Sequence, residues 1–171
     1  MKAIALSQAG PPENFKRIEL PEPPVRPGTL KVSVVASSLN PLDCKVRGGQ
    51  IPLLPQSPSI LHGDFSGVVE EVGFGVKGFE IGDEVFGFVG GIAKWDGVLR
   101  EFLVVDPSMI APKPRNLSHI EAACMPLAGI TAWWALVERG ALKQGESLLV
   151  QGGTGGVGHL AVQLGKRSEE H

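Results

Sequence analysis

Residues 153–158 read Gly-Thr-Gly-Gly-Val-Gly, a match to G-x-G-x-x-G. The chemistry that needs this spacing is phosphate binding. Gly153 allows a tight turn, Gly155 lets the main chain approach a pyrophosphate with no Cβ in the way, and Gly158 lets the next helix pack against the preceding strand. Thr154, Gly156 and Val157 fill the intervening positions, where a helix start offers free N–H groups and the positive end of its dipole to an anion. All six residues are therefore candidates for binding a dinucleotide. A glycine cluster alone is a weak signal, and an ordinary Gly-rich turn is the alternative.

The flanking elements decide between the two. Leu148–Val150 reads as a strand entering the cluster, and Leu160, Val162 and Leu164 mark the apolar face of a helix leaving it. Upstream, the chain reads as short strands with Gly and Pro corners. Met1–Leu6 is a first strand, and Phe15–Leu20 and Thr29–Ser37 are strand-like around a Pro-rich connection that turns at Pro27-Gly28. "VVEEVG", "GDEVFGFV" and "VLREFLVVD" follow, the last with Val98, Phe102 and Val104 in near alternation. This pattern predicts a small barrel rather than an open parallel sheet. At Ser118 it changes. Ser118 with Glu121 forms a capping-box signature, Pro126 breaks the helical stretch, and a second helix is expected from about Ala128 to Arg139, stopped by Gly140. The expected division is a β domain over residues 1–125 and an α/β unit over residues 126–171.

Composition narrows the function classes. The chain has 171 residues, 43% of them hydrophobic, and a formal net charge of -2 with the two signs interspersed. No basic run points to nucleic acid, and no apolar run approaches the roughly 20 residues of a membrane helix. Two distant cysteines, Cys44 and Cys124, make neither a disulfide framework nor a four-cysteine zinc site, and the cytoplasm is the expected compartment.

Four stretches then carry a resemblance: "SSLNPLDCKVRGG" (37–49), "HGDFSGVVEEVG" (62–73), "PLAGITAWWAL" (126–136) and "VQGGTGGVGHLAVQLGK" (150–166). In this order and spacing the chain resembles the N-terminal half of the zinc-independent medium-chain dehydrogenases/reductases, the quinone oxidoreductase (zeta-crystallin-like) group. The resemblance implies a mainly β, GroES-like barrel followed by the first β–α unit of a Rossmann-type domain, with the active site in the cleft between them. It also implies hydride transfer from NADPH, or NADH, to a quinone or an activated enone. The residue that selects between the two nucleotides is expected about 20 positions past the glycine motif, beyond His171. A homodimer is left open.

The resemblance also assigns roles. Asn40 and Asp43 match an Asn-Pro-x-Asp motif beside the nicotinamide, with Asn40 placed to bond a carbonyl or carboxamide and Asp43 to orient the loop. The same "NPLD" reads equally well as a helix start capped by Asn40. Thr131 matches a threonine that reaches the nicotinamide carboxamide, and a helical Thr bonding its own backbone is the alternative. Zinc-dependent relatives carry Cys at the position of Asn40 and His at that of Gly63, so no metal is expected here. Asp64 stands where those relatives have Glu. His62 is then a hydrogen-bonded loop residue and Cys44 a small half-buried hydrophobe. Lys45 stands where a pocket Tyr is common, and the chain has no tyrosine at all. The Trp133-Trp134 pair is expected to serve helix packing. Family members continue past Lys166 into a second strand, whereas "RSEEH" reads as a chain cut short, so a catalytically inactive fragment acting as a binding or structural module is the second reading.

Overall fold

The computed structural model describes residues 1–51, 59–90 and 97–168, with side chains as far as Lys166. These residues form two compact units, Met1–Cys124 and Met125–His171. The expected charged ending beyond residue 168 lies outside the described residues.

The first unit is antiparallel β-structure in two open sheets. One is β2 (Phe15–Glu19), β1 (Lys2–Leu6) and β4 (Ser59–Ile60), in that order. The other runs β7 (Phe102–Val105), β3 (Leu30–Ser37), β5 (Asp64–Val72), β6 (Glu84–Phe88), β8 (Ile110–Pro112). Residues 99–101 stitch the sheets together. Ile4 N–H donates to Leu99 O at 2.8 Å and Glu101 N–H to Lys2 O at 3.1 Å, while Val34 N–H reaches Glu101 O at 2.8 Å. The barrel-like wall is thus made of two sheets joined through one short segment.

That segment explains a parity reversal. The near alternation of Val98, Phe102 and Val104 predicts one inward face. Instead Val98, Leu103 and Val105 are buried, and Phe102 and Val104 are half-buried. Val98 N–H is held by Leu61 O and His62 O outside any strand, so the period of two restarts at Phe102. Leu30, Val32, Phe65, Val69, Val85, Leu103 and Val105 close the main core. The Pro-rich connection turns at Gly28 as expected, and Lys31 holds it to the sheet through Glu22 at 2.7 Å and Glu71 at 3.2 Å.

β5 is buried on both faces. Phe65 and Val69 enter the apolar core, while Asp64 and Ser66 are fully buried on the other side. A buried polar group needs partners, and Ser66 finds two. Its hydroxyl lies 2.9 Å from Val85 O and 2.8 Å from Nδ1 of His119, the first residue of α2 (His119–Ala123). The far ring nitrogen of His119 is 3.1 Å from Glu84, which also pairs with Lys113 at 3.1 Å. Lys113 donates onward to Leu117 O and Pro114 O. The expected Ser118–Glu121 capping box starts α2.

In the second unit, α3 (Pro126–Trp133) begins on Pro126 itself, because a first-turn proline lacks only an N–H that has no helical partner anyway. It continues as a π-helical stretch, Trp134–Arg139, and ends at Gly140, whose N–H reaches Ala135 O at 2.9 Å. Trp133 and Trp134 are half-exposed, so packing falls to Ala132 and Leu136, which meet Leu160 and Ala161 of α4 (Gly156–Ser168). Two aromatics in succession on a helix cannot both face one neighbour, and Trp134 instead stacks under the Arg139 guanidinium at 4.7 Å. Leu148–Val150 is not a strand, since among the described residues no neighbouring strand completes a ladder with it. Among the described residues no helix is long and apolar enough to cross a membrane.

The Lys113 ammonium is buried with three oxygen partners, and removing it takes the donor from the carbonyls of Pro114 and Leu117. Lys113→Met is expected to lower the stability of the first unit by about 1–3 kcal/mol at pH 7 in urea unfolding. The hydrogen bond from Lys113, then the charges of Lys113 and His119, hold the Glu84 carboxyl below its ordinary value of 4.5. A depressed carboxylate stabilises the fold above its unfolded pKa and loses that contribution as pH falls through the folded value. Glu84→Gln should therefore be less stable than the parent at pH 7, with the gap narrowing as pH falls below about 4.5; a constant gap from pH 7 to 3 would refute this.

Candidate functional site

The first cluster is built on the turn from β3 into α1 (Pro41–Arg47). Asn40 is the N-cap of α1 in extended geometry, and Pro41 takes the first helical position. Asp43 is buried and accepts the Asn40 backbone N–H at 2.7 Å, as the third residue of a capping box does. The Asn40 side chain turns the other way. Its Nδ2 donates to Asp64 Oδ2 at 2.8 Å, and Ser38 Oγ donates to the same oxygen at 3.0 Å. Asn40 thus starts the helix, as its capping reading expects, and its side-chain amide bonds Asp64. That amide keeps its carbonyl oxygen and a second N–H for other partners.

His62 and Gly63 close the cluster from the start of β5. The imidazole is half-buried, with Nδ1 3.4 Å from Ser37 Oγ. Burial lowers its pKa from 6.5, against the opposing pull of Asp43 and Asp64. Cys44 is exposed rather than half-buried, whereas Asp43 and Val46 are the buried residues of α1.

Gly63 cannot be replaced by a ligand side chain without displacing its neighbours. A Cβ built on Gly63 would meet Phe88 Cε2 at 2.2 Å and Gly90 O at 2.5 Å, so a side chain at that position has no room. Among the described residues no three His, Cys, Asp or Glu side chains gather to hold an ion.

The second cluster lies in the second unit. The positive φ of the glycine turn falls at Gly152, +72°, one residue before the expected Gly153, where a Cβ would meet only ordinary contacts at 3.6 Å. The doubled glycine of "QGGTGG" was the available signal for Gly152. Gly155 N–H closes the turn onto Gly152 O at 2.9 Å. Gly158 is obligatory for packing, since a Cβ there would lie 2.1 Å from Gly152 O. A Cβ at Gly155 would touch only Gly152 O, at 3.3 Å, and one at Gly156 would meet nothing within 4 Å. The space over these two residues is open for an anion, beside the first amides of α4, which have no intrahelical acceptor. Gly153, Thr154 and Val157 complete the turn and the helix start. A pyrophosphate fits this cradle. Thr131 on α3 is exposed and donates its hydroxyl to Leu127 O at 2.7 Å, so its oxygen is left only to accept.

Residues 26–115 match the alcohol dehydrogenase GroES-like domain. The chain is 41% identical to a 2-methylene-furan-3-one reductase of Solanum lycopersicum over 84% of this chain and 38% of the relative. It is 38% identical to a chloroplastic NADPH-dependent alkenal/one oxidoreductase of Arabidopsis thaliana over 97% of this chain and 44% of that protein. The solved structure of a quinone oxidoreductase from Coxiella burnetii aligns with a TM-score of 0.85 and 40% identity, covering 99% of this chain and 54% of the other. The chain spans about half the length of these proteins or less.

Gly158→Ala is expected to loosen the second unit, with faster amide exchange along α4 and a cost of about 1–3 kcal/mol from forced displacement of helix from turn. Gly156→Ala should leave exchange along α4 unchanged. Equal effects of the two would show that the close approach at Gly158 is not a packing constraint.

Proposed function

Because the chain belongs to the alcohol dehydrogenase GroES-like family, we propose that it serves a zinc-independent oxidoreductase that reduces a quinone or an activated enone with NADPH. The observation that carries the reading is the pairing of two features in one chain: a polar cluster at Asn40 with no room for a ligand side chain at Gly63, and an open glycine cradle at Gly155–Gly156. The names of the relatives, an enone reductase, an NADPH-dependent alkenal/one oxidoreductase and a quinone oxidoreductase, support the substrate class and the nucleotide. The two unpaired, exposed cysteines suit a reducing compartment, and we take that to be the cytoplasm.

When bound, the reduced nicotinamide supplies the hydride. The residues of this chain bind and orient. Amides of Gly156–Gly158 would hold the pyrophosphate, with Gly153, Thr154 and Gly155 shaping the approach. Thr131 Oγ accepts from the carboxamide. The Asn40 amide, anchored on Asp64, offers its free N–H to the substrate carbonyl, and Asp43 keeps the Asn40 backbone in place. The substrate is a small molecule, with no role for nucleic acid or membrane; a homodimer is consistent with this reading.

Affinity arithmetic sets the expected behaviour of the 171 residues alone. A helix N-terminus contributes roughly 0.3–2 kcal/mol toward an anion, and a few backbone hydrogen bonds add about 1 kcal/mol each. Micromolar binding needs about 8 kcal/mol. The 171 residues by themselves should therefore show no measurable NADPH oxidation. The test fuses them to the C-terminal half of the Coxiella burnetii quinone oxidoreductase and assays NADPH oxidation with a panel of quinones and enones. Turnover by the fusion, with far less than one equivalent of zinc in the purified protein, supports the reading. Absence of turnover on every substrate, or one equivalent of zinc that survives chelation, overturns it. In the same fusion Gly155→Val should weaken NADPH binding at least tenfold while Tm holds, because its side chain fills the space over the cradle.

A further inference from the structure

His62 occupies a conformation that few side chains accept. Its φ is +65°, in the left-handed region where a Cβ crowds the backbone, and it is one of only two described non-glycine residues with positive φ. The backbone there is fixed from outside, since His62 O accepts from Val98 N–H at 2.9 Å and Gly63 O accepts from Val89 N–H at 3.0 Å. Glycine would satisfy this geometry without strain. A strained non-glycine residue beside a polar cluster directs attention to what its side chain does.

His62 follows Leu61, which is fully buried, and its Nδ1 lies 3.4 Å from Ser37 Oγ. Among the described residues Nε2 has no hydrogen-bond partner. The carboxyl groups of Asp43 and Asp64 influence the ring electrostatically but are bonded elsewhere, to the Asn40 N–H and to Asn40 Nδ2 and Ser38 Oγ. Burial outweighs their pull and keeps the imidazole neutral near pH 7. When Ser37 donates to Nδ1, the ring proton sits on Nε2. The ring is then a neutral donor held in the same polar cluster as the Asn40 amide.

We propose that His62 is a catalytic residue that donates a hydrogen bond from Nε2 to the carbonyl oxygen of the substrate. This rests on the oxidoreductase reading above. Reduction of an enone forms a C–H bond at the β-carbon and sends the π electrons onto the carbonyl oxygen, giving an enolate. The electron pair and hydrogen come from the reduced nicotinamide, and water supplies the proton that later completes the α-carbon. A preoriented neutral N–H stabilises the developing oxyanion without placing a cation in the half-buried cluster.

The test uses the fusion protein with His62→Gly and His62→Asn. Glycine relieves the left-handed strain and removes the donor; asparagine tolerates the left-handed region and keeps an N–H. His62→Gly is expected to match or exceed the parent Tm and to bind NADPH with unchanged Kd by fluorescence. Its kcat should fall about a hundredfold, the scale of losing one oxyanion donor, and His62→Asn should recover part of the loss. ¹⁵N spectra of the parent ring should show Nε2 as the protonated nitrogen at pH 7. Turnover of His62→Gly within threefold of the parent, or a ring protonated on Nδ1 alone, overturns the role of His62 and leaves the oxidoreductase reading standing. A parent fusion that reduces no quinone or enone overturns both.

Discussion

The fully buried carboxyl of Asp64 is the constraint around which the first unit is arranged. A buried carboxyl must be supplied with donors, and a lost partner costs more than a made one gains. Ser38 and the Asn40 amide supply them to a single oxygen. Both donors lie on the turn leaving β3, and Asp64 opens β5, the central strand of its sheet. Satisfying Asp64 therefore fixes the path of residues 38–43 over the sheet, and with it the start of α1. The Asn40 amide is presented at a defined angle because it is also a structural bond. A polar group that makes a structural bond is held without needing a rigid element of its own.

Ser66, two residues further along the same face, repeats the logic. It is fully buried and carries His119, Glu84 and Lys113 outward in a chain that ends on the carbonyls of the loop before α2. The alternation of β5 thus sorts its side chains into an apolar core face, Phe65 and Val69, and a polar face that organises loops. A strand buried on both sides does not have to be apolar on both sides, provided each polar group on it has a partner.

What was legible in the sequence was what is decided locally. The capping box at Ser118, the turn at Pro27-Gly28, the stop at Gly140 and the helix start at Asn40 depend on a few neighbouring residues, and all appear where the spacing places them. The glycine cradle forms for the same reason: its turn closes on Gly152 and its helix packs on Gly158 without outside help. Leu148–Val150 could not be judged this way, because a strand exists only with a partner. The face of Val98–Val104 was misread because the connection through residues 99–101 breaks the period, and that break is imposed by β1 and β3, far away in sequence. His62 stood in plain view, but nothing local to "LHGD" announces a left-handed backbone. It follows from the bonds that Val98 and Val89 make to its flanks.

The absence of room at Gly63 has a chemical consequence for the proposed reaction. A bound divalent ion polarises a carbonyl by several kcal/mol in the transition state. A hydrogen bond to a charged group contributes roughly 1.5–3 kcal/mol, so a single amide donor is a poor replacement and two donors come close. The cluster contains two neutral candidates, the free N–H of Asn40 and Nε2 of His62, and its two carboxyl groups are turned toward the backbone N–H of Asn40 and the side chains behind it. Neutral donors suit this setting, since an unpaired cation placed here would have to be desolvated in every turnover. In the proposed reaction two oriented dipoles would take the place of one strong Lewis acid.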